Sequence, residues 1–99
     1  MLPALSYQGP FSYANIASAA TTTVKSGKGV LVGIVINKPV ASTTVTIYDN
    51  TAGSGTKIGT ITQPGTLLES QIVLPYNVTF STGLTLVTSG ADDLTVIYL

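Results

Sequence analysis

The 99-residue chain contains no cysteine, no histidine, no tryptophan and no arginine. Each absence removes a class of chemistry. Without cysteine there is neither a disulfide framework nor a thiol nucleophile. Without histidine the commonest metal ligand is missing, and so is the side chain best suited to general acid–base work near neutral pH. Charge is scarce as well: charged residues make up 8% of the chain, against about 25% in an average soluble domain. Lys25, Lys28, Lys38 and Lys57 balance Asp49, Glu69, Asp92 and Asp93, so the formal net charge is zero. Phosphate backbones are gripped by clustered Lys and Arg, and four scattered lysines argue against nucleic acid as a partner. No stretch approaches the roughly 18 consecutive apolar residues of a membrane helix, so no membrane partner is expected. No Lys or Arg precedes Lys25, and Pro3, Gln8, Gly9 and Pro10 interrupt any apolar run near the start. Export through a signal peptide is therefore not expected. A neutral surface with so little charge favours association, and the protein is expected to work docked to a partner, copies of itself included.

What the chain does contain is strand-forming sequence cut by turns. Residues 30–36 (Val30, Leu31, Val32, Gly33, Ile34, Val35 and Ile36) form an apolar run without one polar side chain. Its length, its β-branched content and the flanking Gly29 and Pro39 predict a central strand buried on both faces. Val45 and Ile47 alternate with Thr44, Thr46 and Tyr48, which is the period-two pattern of a half-buried strand. A glycine-containing loop at residues 50–56 leads to a returning strand at 57–62, where Ile58 and Ile61 differ in parity and predict a bulge near Gly59. Pro75 restricts its segment to an edge or corner, because it cannot donate to a ladder. Strands are further predicted at 84–87 and 94–99, with turns at 81–83 and 89–93. Residues 1–13 interleave Pro3, Gly9 and Pro10 with Leu2, Leu5, Tyr7, Phe11 and Tyr13, and read as an extended arm carrying apolar anchors. The expected architecture is all-β: an antiparallel β-sandwich or jelly-roll-like barrel of about seven short strands. Its organisation is an arm at 1–13 followed by a single domain at 14–99.

Candidate chemistry is thin. Asp92 and Asp93 are adjacent and, in a turn, cap backbone amides more readily than they bind a substrate. Together with Asp49 they are too few and too poorly spaced for a calcium loop. A Ser or Thr nucleophile would need a lysine as its base, and all four lysines sit near turns. The Gly27-Lys28 pair lacks the spacing of a phosphate loop, and Asn77-Val78-Thr79 matches a glycosylation sequon in a chain with no expected export route. No catalytic residue, metal or cofactor is expected. The candidate partner-interface residues are Leu2, Leu5, Tyr7, Phe11 and Tyr13 on the arm and Tyr48 on the threonine side of its strand, since tyrosine is enriched at interfaces.

Three segments, VTIYDNTAGSGTKI (residues 45–58), PYNVTFSTGL (75–84) and DLTVIY (93–98), resemble small β-rich virion proteins of tailed bacteriophages. The resemblance covers about the last two thirds of the chain. It implies a structural role and carries no catalytic residues. The implied function is capsid decoration or cementing: a protein made in the host bacterial cytoplasm that binds major capsid protein subunits on the virion surface. Such proteins sit over junctions between subunits, often as homotrimers. The competing expectation is a carbohydrate- or receptor-binding module of a fibre or tail, using Tyr48 and the 50–56 loop.

Overall fold

The computed structural model describes residues 10–67 and 71–99. Among them are eight strands and no helix: β1 (Ser12–Ile16), β2 (Ala20–Ser26), β3 (Gly29–Lys38), β4 (Thr44–Asp49), β5 (Thr56–Thr62), β6 (Ile72–Phe80), β7 (Gly83–Thr88) and β8 (Asp93–Tyr98). They form two four-stranded antiparallel sheets, in the orders β1-β8-β3-β6 and β2-β7-β4-β5. The pairings are nested: β1 lies with β8, β2 with β7, β3 with β6 and β4 with β5. The chain is thus one long hairpin that reverses at residues 50–55 and wraps into two layers. The pairings of β3 with β8 and of β4 with β7 complete the sheets.

The core lies between the layers. Leu31, Ile34 and Ile36 of β3, Leu94 and Val96 of β8, Ile16 of β1 and Phe80 of β6 meet Val45 and Ile47 of β4 and Leu84 and Leu86 of β7, all buried. Alternation places them there, since successive side chains of a strand point to opposite faces. Burial of each such side chain stabilises the fold by about 1.5–3 kcal/mol. The edges follow equally local rules. Pro75 sits in β6, the edge strand of its sheet, where a missing N–H costs no ladder bond. Opposite β4 the register shifts so that Ile47 pairs with Gly59 and Tyr48 with Lys57, which makes Ile58 the extra residue of a bulge. Gly59 is also where Tyr76 of β6 approaches β5, and a Cβ there would stand 3.2 Å from the phenol oxygen. Burial raises the Tyr76 pKa.

The expected sandwich is present, with two differences. It has eight strands rather than about seven, and the first begins at Ser12, inside the stretch expected to be an arm. Tyr13, Ala14 and Asn15 have weak strand propensity as a group, and it is β8 that supplies their partner, through the register from Ser12 with Tyr98 to Ile16 with Leu94. The second difference concerns residues 30–36. Leu31, Ile34 and Ile36 are fully buried, but Val30, Val32 and Val35 are only half-buried. One face of β3 meets the opposing sheet and the other is turned outward.

Candidate functional site

Among the described residues, that outward face is one that the opposing sheet does not cover. Registers across the sheet β1-β8-β3-β6 fix which side chains share it. One row runs Asn15, Thr95, Val35, Val73; the next runs Tyr13, Ile97, Gly33, Pro75. Gly33 contributes no side chain to its row. A third row joins Leu99 to Val30 by mutual backbone bonds, with Leu99 N–H donating to the Val30 carbonyl at 2.8 Å and Val30 N–H to the Leu99 carbonyl at 3.0 Å. That row continues to Thr79. Tyr13 is 72% and Val73 70% exposed. No position in these three rows carries a charge.

One end of the face is polar and satisfies itself. Asp93 Oδ1 accepts from Asn15 Nδ2 at 2.7 Å and from Asn37 Nδ2 at 3.3 Å, and Asn37 Nδ2 also reaches Thr95 Oγ1 at 3.0 Å. Asn15 Nδ2 donates in addition to the Leu94 carbonyl at 2.9 Å. With these groups engaged, the face offers a partner mainly apolar area.

The outer face of the second sheet is built differently. Thr21, Val87, Thr46 and Thr60 form one row, and Thr23, Thr85, Tyr48 and Lys57 another. The 50–55 loop folds back onto it. Thr85, fully buried, donates its hydroxyl to the Asn50 carbonyl at 2.8 Å and lies 3.1 Å from the Thr23 hydroxyl, which in turn stands 3.2 Å from the Thr51 carbonyl. Asn50 is occupied inside the loop, donating Nδ2 to the Ser54 carbonyl at 2.7 Å and accepting the Thr51 N–H at 2.9 Å. Asp49, at the mouth of the loop, clamps the β6–β7 turn: its carboxylate accepts the N–H of Ser81 at 2.9 and 3.0 Å, of Thr82 at 2.8 Å and of Gly83 at 3.4 Å. The Ser81 and Thr82 amides hold its carboxyl below the ordinary carboxylate range, against a smaller opposing push from burial. Gly83 is required there, since a Cβ would meet the Thr51 side chain at 2.8 Å and the Lys25 carbonyl at 2.9 Å.

Among the described residues, Asp92 is also structural. Asp92, fully buried, accepts from the Val40 N–H at 2.9 Å and the Thr43 hydroxyl at 3.0 Å, while its Oδ1 has no partner. Of the expected interface residues, Tyr13 stands on the apolar face and Phe11, 38% exposed, lies just before β1. Tyr48 lies on the other sheet, half-buried beside Thr85, so it does not share a surface with them. Leu2, Leu5 and Tyr7 lie outside the described residues. Sequence reasoning missed Val35, Val73, Pro75 and Ile97. Their signal was an apolar residue at the outward parity of strands whose inward parity was already apolar. No protein-family model, curated protein or solved structure matches this chain.

Proposed function

We propose that the protein is a non-enzymatic structural component of a tailed-phage virion, which decorates the capsid by docking the apolar face of β1-β8-β3-β6 on major capsid protein subunits. The observation that carries this reading is that face: three rows of side chains without a charge on a chain whose core is already complete behind them. The largest apolar patch on a monomer, typically about 300–600 Å², is often functional. The fold analogy points the same way, as an analogy only. The order β1-β8-β3-β6 facing β2-β7-β4-β5 is that of an eight-stranded jelly roll with nested strand pairs, an architecture shared by viral capsid domains and lectins.

Size decides how the face would be used. Four strands about 4.8 Å apart and some six residues of about 3.3 Å each give a patch of roughly 400 Å². A standard interface needs about 800 Å² per partner. One copy on one subunit would therefore bind weakly, and tight decoration requires either the apolar arm as added area or several copies joined so that their contacts act together. The second of these is met by a homo-oligomer, a trimer in the simplest case, seated over a junction between capsid subunits. The glycan-binding alternative draws no comparable support, because the loop it would use has its polar groups tied up by internal hydrogen bonds.

The test is co-sedimentation with shells assembled from the major capsid protein of the same genome. The expected result is saturable pelleting and shells that withstand a higher temperature when decorated. A Val73→Lys, Ile97→Asp double variant that keeps the wild-type fold is expected to stay in the supernatant. Wild-type protein that fails to pellet at any concentration refutes the assignment.

A further inference from the structure

We infer that two copies of the chain pair through β1, edge to edge and antiparallel, so that their apolar sheets join into one continuous sheet. The inference starts from the edge strands, which are β1 and β6 in one sheet and β2 and β5 in the other. An open strand edge invites pairing with another chain, and bulges, prolines and lysines are the usual safeguards against it. β6 carries Pro75, a register shift opposite residues 31–33 of β3, and Asn77 in the left-handed region at a φ of 54°. β2 has a register shift between Thr23 and Lys25, and β5 has its bulge at Ile58 beside Lys57. β1 has none of these devices. Ser12–Ile16 contains no proline, glycine or charged residue and pairs with β8 without a shift.

Which backbone groups face the open edge follows from β8. Leu99 directs both its N–H and its carbonyl at Val30 of β3. Successive residues of a strand direct these groups to opposite sides, and the register shifts between β3 and β8 place the extra residues on β3. Tyr98, Val96 and Leu94 therefore face β1, and the Leu94 carbonyl indeed accepts from Asn15 Nδ2 at 2.9 Å. Their partners Ser12, Ala14 and Ile16 turn their ladder groups to β8, while the N–H and carbonyl of Tyr13 and Asn15 point away from it. Among the described residues no strand takes these groups up.

A second copy fits this edge about a two-fold axis at Ala14. Tyr13 then exchanges both backbone bonds with the partner's Asn15, and Asn15 exchanges both with the partner's Tyr13. Between them Ala14 forms a non-hydrogen-bonded pair with its own mate, the position where side chains come closest, and its methyl group is small enough for that approach. No charge on β1 opposes the pairing. The pairing also meets the shortfall in area: the outer face grows from about 400 to about 800 Å², which is what a standard interface takes from each partner. Pro75 and Asn77 at the far edge stop the sheet at two copies. The pairing rests on the edge alone, while the use of the doubled face rests on the capsid reading.

The test is sedimentation velocity of the purified chain from micromolar to millimolar concentration, with amide hydrogen exchange followed by NMR over the same range. A reversible monomer–dimer equilibrium is expected, with protection of the Tyr13 and Asn15 amides that rises with the dimer fraction. Tyr13→Pro removes an outward donor and leaves the β8 bonds of Ser12, Ala14 and Ile16 in place. It is expected to weaken dimerisation about tenfold. Val73→Lys, on the same face but on the far edge strand, is expected to leave the dimer unchanged. Should Tyr13→Pro fail to fold, the exchange data on the wild-type chain decide. A monomer at every concentration overturns the inference, and so does a trimer. It is equally overturned by a dimer that Val73→Lys abolishes, by one that a folded Tyr13→Pro leaves unchanged, or by Tyr13 and Asn15 amides whose exchange ignores the dimer fraction. No capsid enters these measurements, so a failure of edge pairing and a failure of shell binding are read separately.

Discussion

Replacing Asp49 with asparagine isolates one carboxylate and one turn. The side chain keeps an acceptor oxygen for the N–H groups of Ser81 and Thr82 but loses the second oxygen, which accepts from Ser81 at 2.9 Å, and the negative charge. Hydrogen bonds to a charged acceptor contribute about 1.5–3 kcal/mol and neutral ones about 0.5–1.5 kcal/mol. At a solvated strand end the difference falls to about 1 kcal/mol. For a domain of this size that corresponds to a fall in Tm of about 4–8 °C. The effect has a signature in pH. Because the amides of Ser81, Thr82 and Gly83 lower the native pKa of Asp49, its contribution is fully present above the unfolded value of about 3.9 and is lost as pH falls through the lower native value. Urea denaturation of wild type and Asp49→Asn at pH 7 and at pH 2 is the assay. The stability gap is expected at pH 7 and should be smaller at pH 2, which lies below the unfolded value and so within or beyond the window where the lowered native pKa lets the contribution fall away. A gap of the same size at both pH values, or none at pH 7, refutes the claim that charge at Asp49 holds the turn.

Thr85→Val keeps the shape but removes the donor to the Asn50 carbonyl; a loss of about 1–2 kcal/mol and faster protease cleavage within residues 50–55 are expected, and an unchanged cleavage rate would show that the loop is held by something else. Asp92→Ala strands the Val40 N–H, while the Thr43 hydroxyl keeps the Val40 carbonyl at 2.7 Å. It should cost about 2–3 kcal/mol in denaturant titrations, and Asp92→Asn, which retains an acceptor, should cost less. Ile34→Ala opens a cavity at a fully buried position of β3 and is expected to lose about 2–5 kcal/mol, whereas Val73→Lys on the outer face should stay within about 0.5 kcal/mol of wild type.

Much of the fold was legible because the strands follow binary patterning. The Val45 and Ile47 alternation, the Gly59 bulge and the edge position of Pro75 each follow from a rule that acts over a few residues. β1 escaped such rules: Tyr13, Ala14 and Asn15 acquire strand structure from a partner more than eighty residues away in sequence, about which local propensity is silent. Residues 30–36 were misread for a different reason. Apolar side chains on both parities state that both faces avoid water, but not whether this chain supplies both covers; the described residues supply one. The exposed half of the candidate face was therefore present in the sequence as an apparent second core layer. The clamp at Asp49 was illegible because its acceptors are paired with amides thirty-odd residues away, and nothing in the spacing announces that meeting.

The nested pairing also sets an order of events in folding. Joining β4 to β5 closes only the short loop at residues 50–55. Once that hairpin exists, β3 and β6 have their separation already reduced, then β2 and β7, and last β1 and β8. Each step extends the previous one instead of closing a long loop afresh, which lowers the entropic cost that makes distant strand pairing slow. Substitutions at the β4–β5 tip should therefore slow refolding, while those in β1 should mainly accelerate unfolding. β1, an edge strand held by β8 alone, is then the first to peel away.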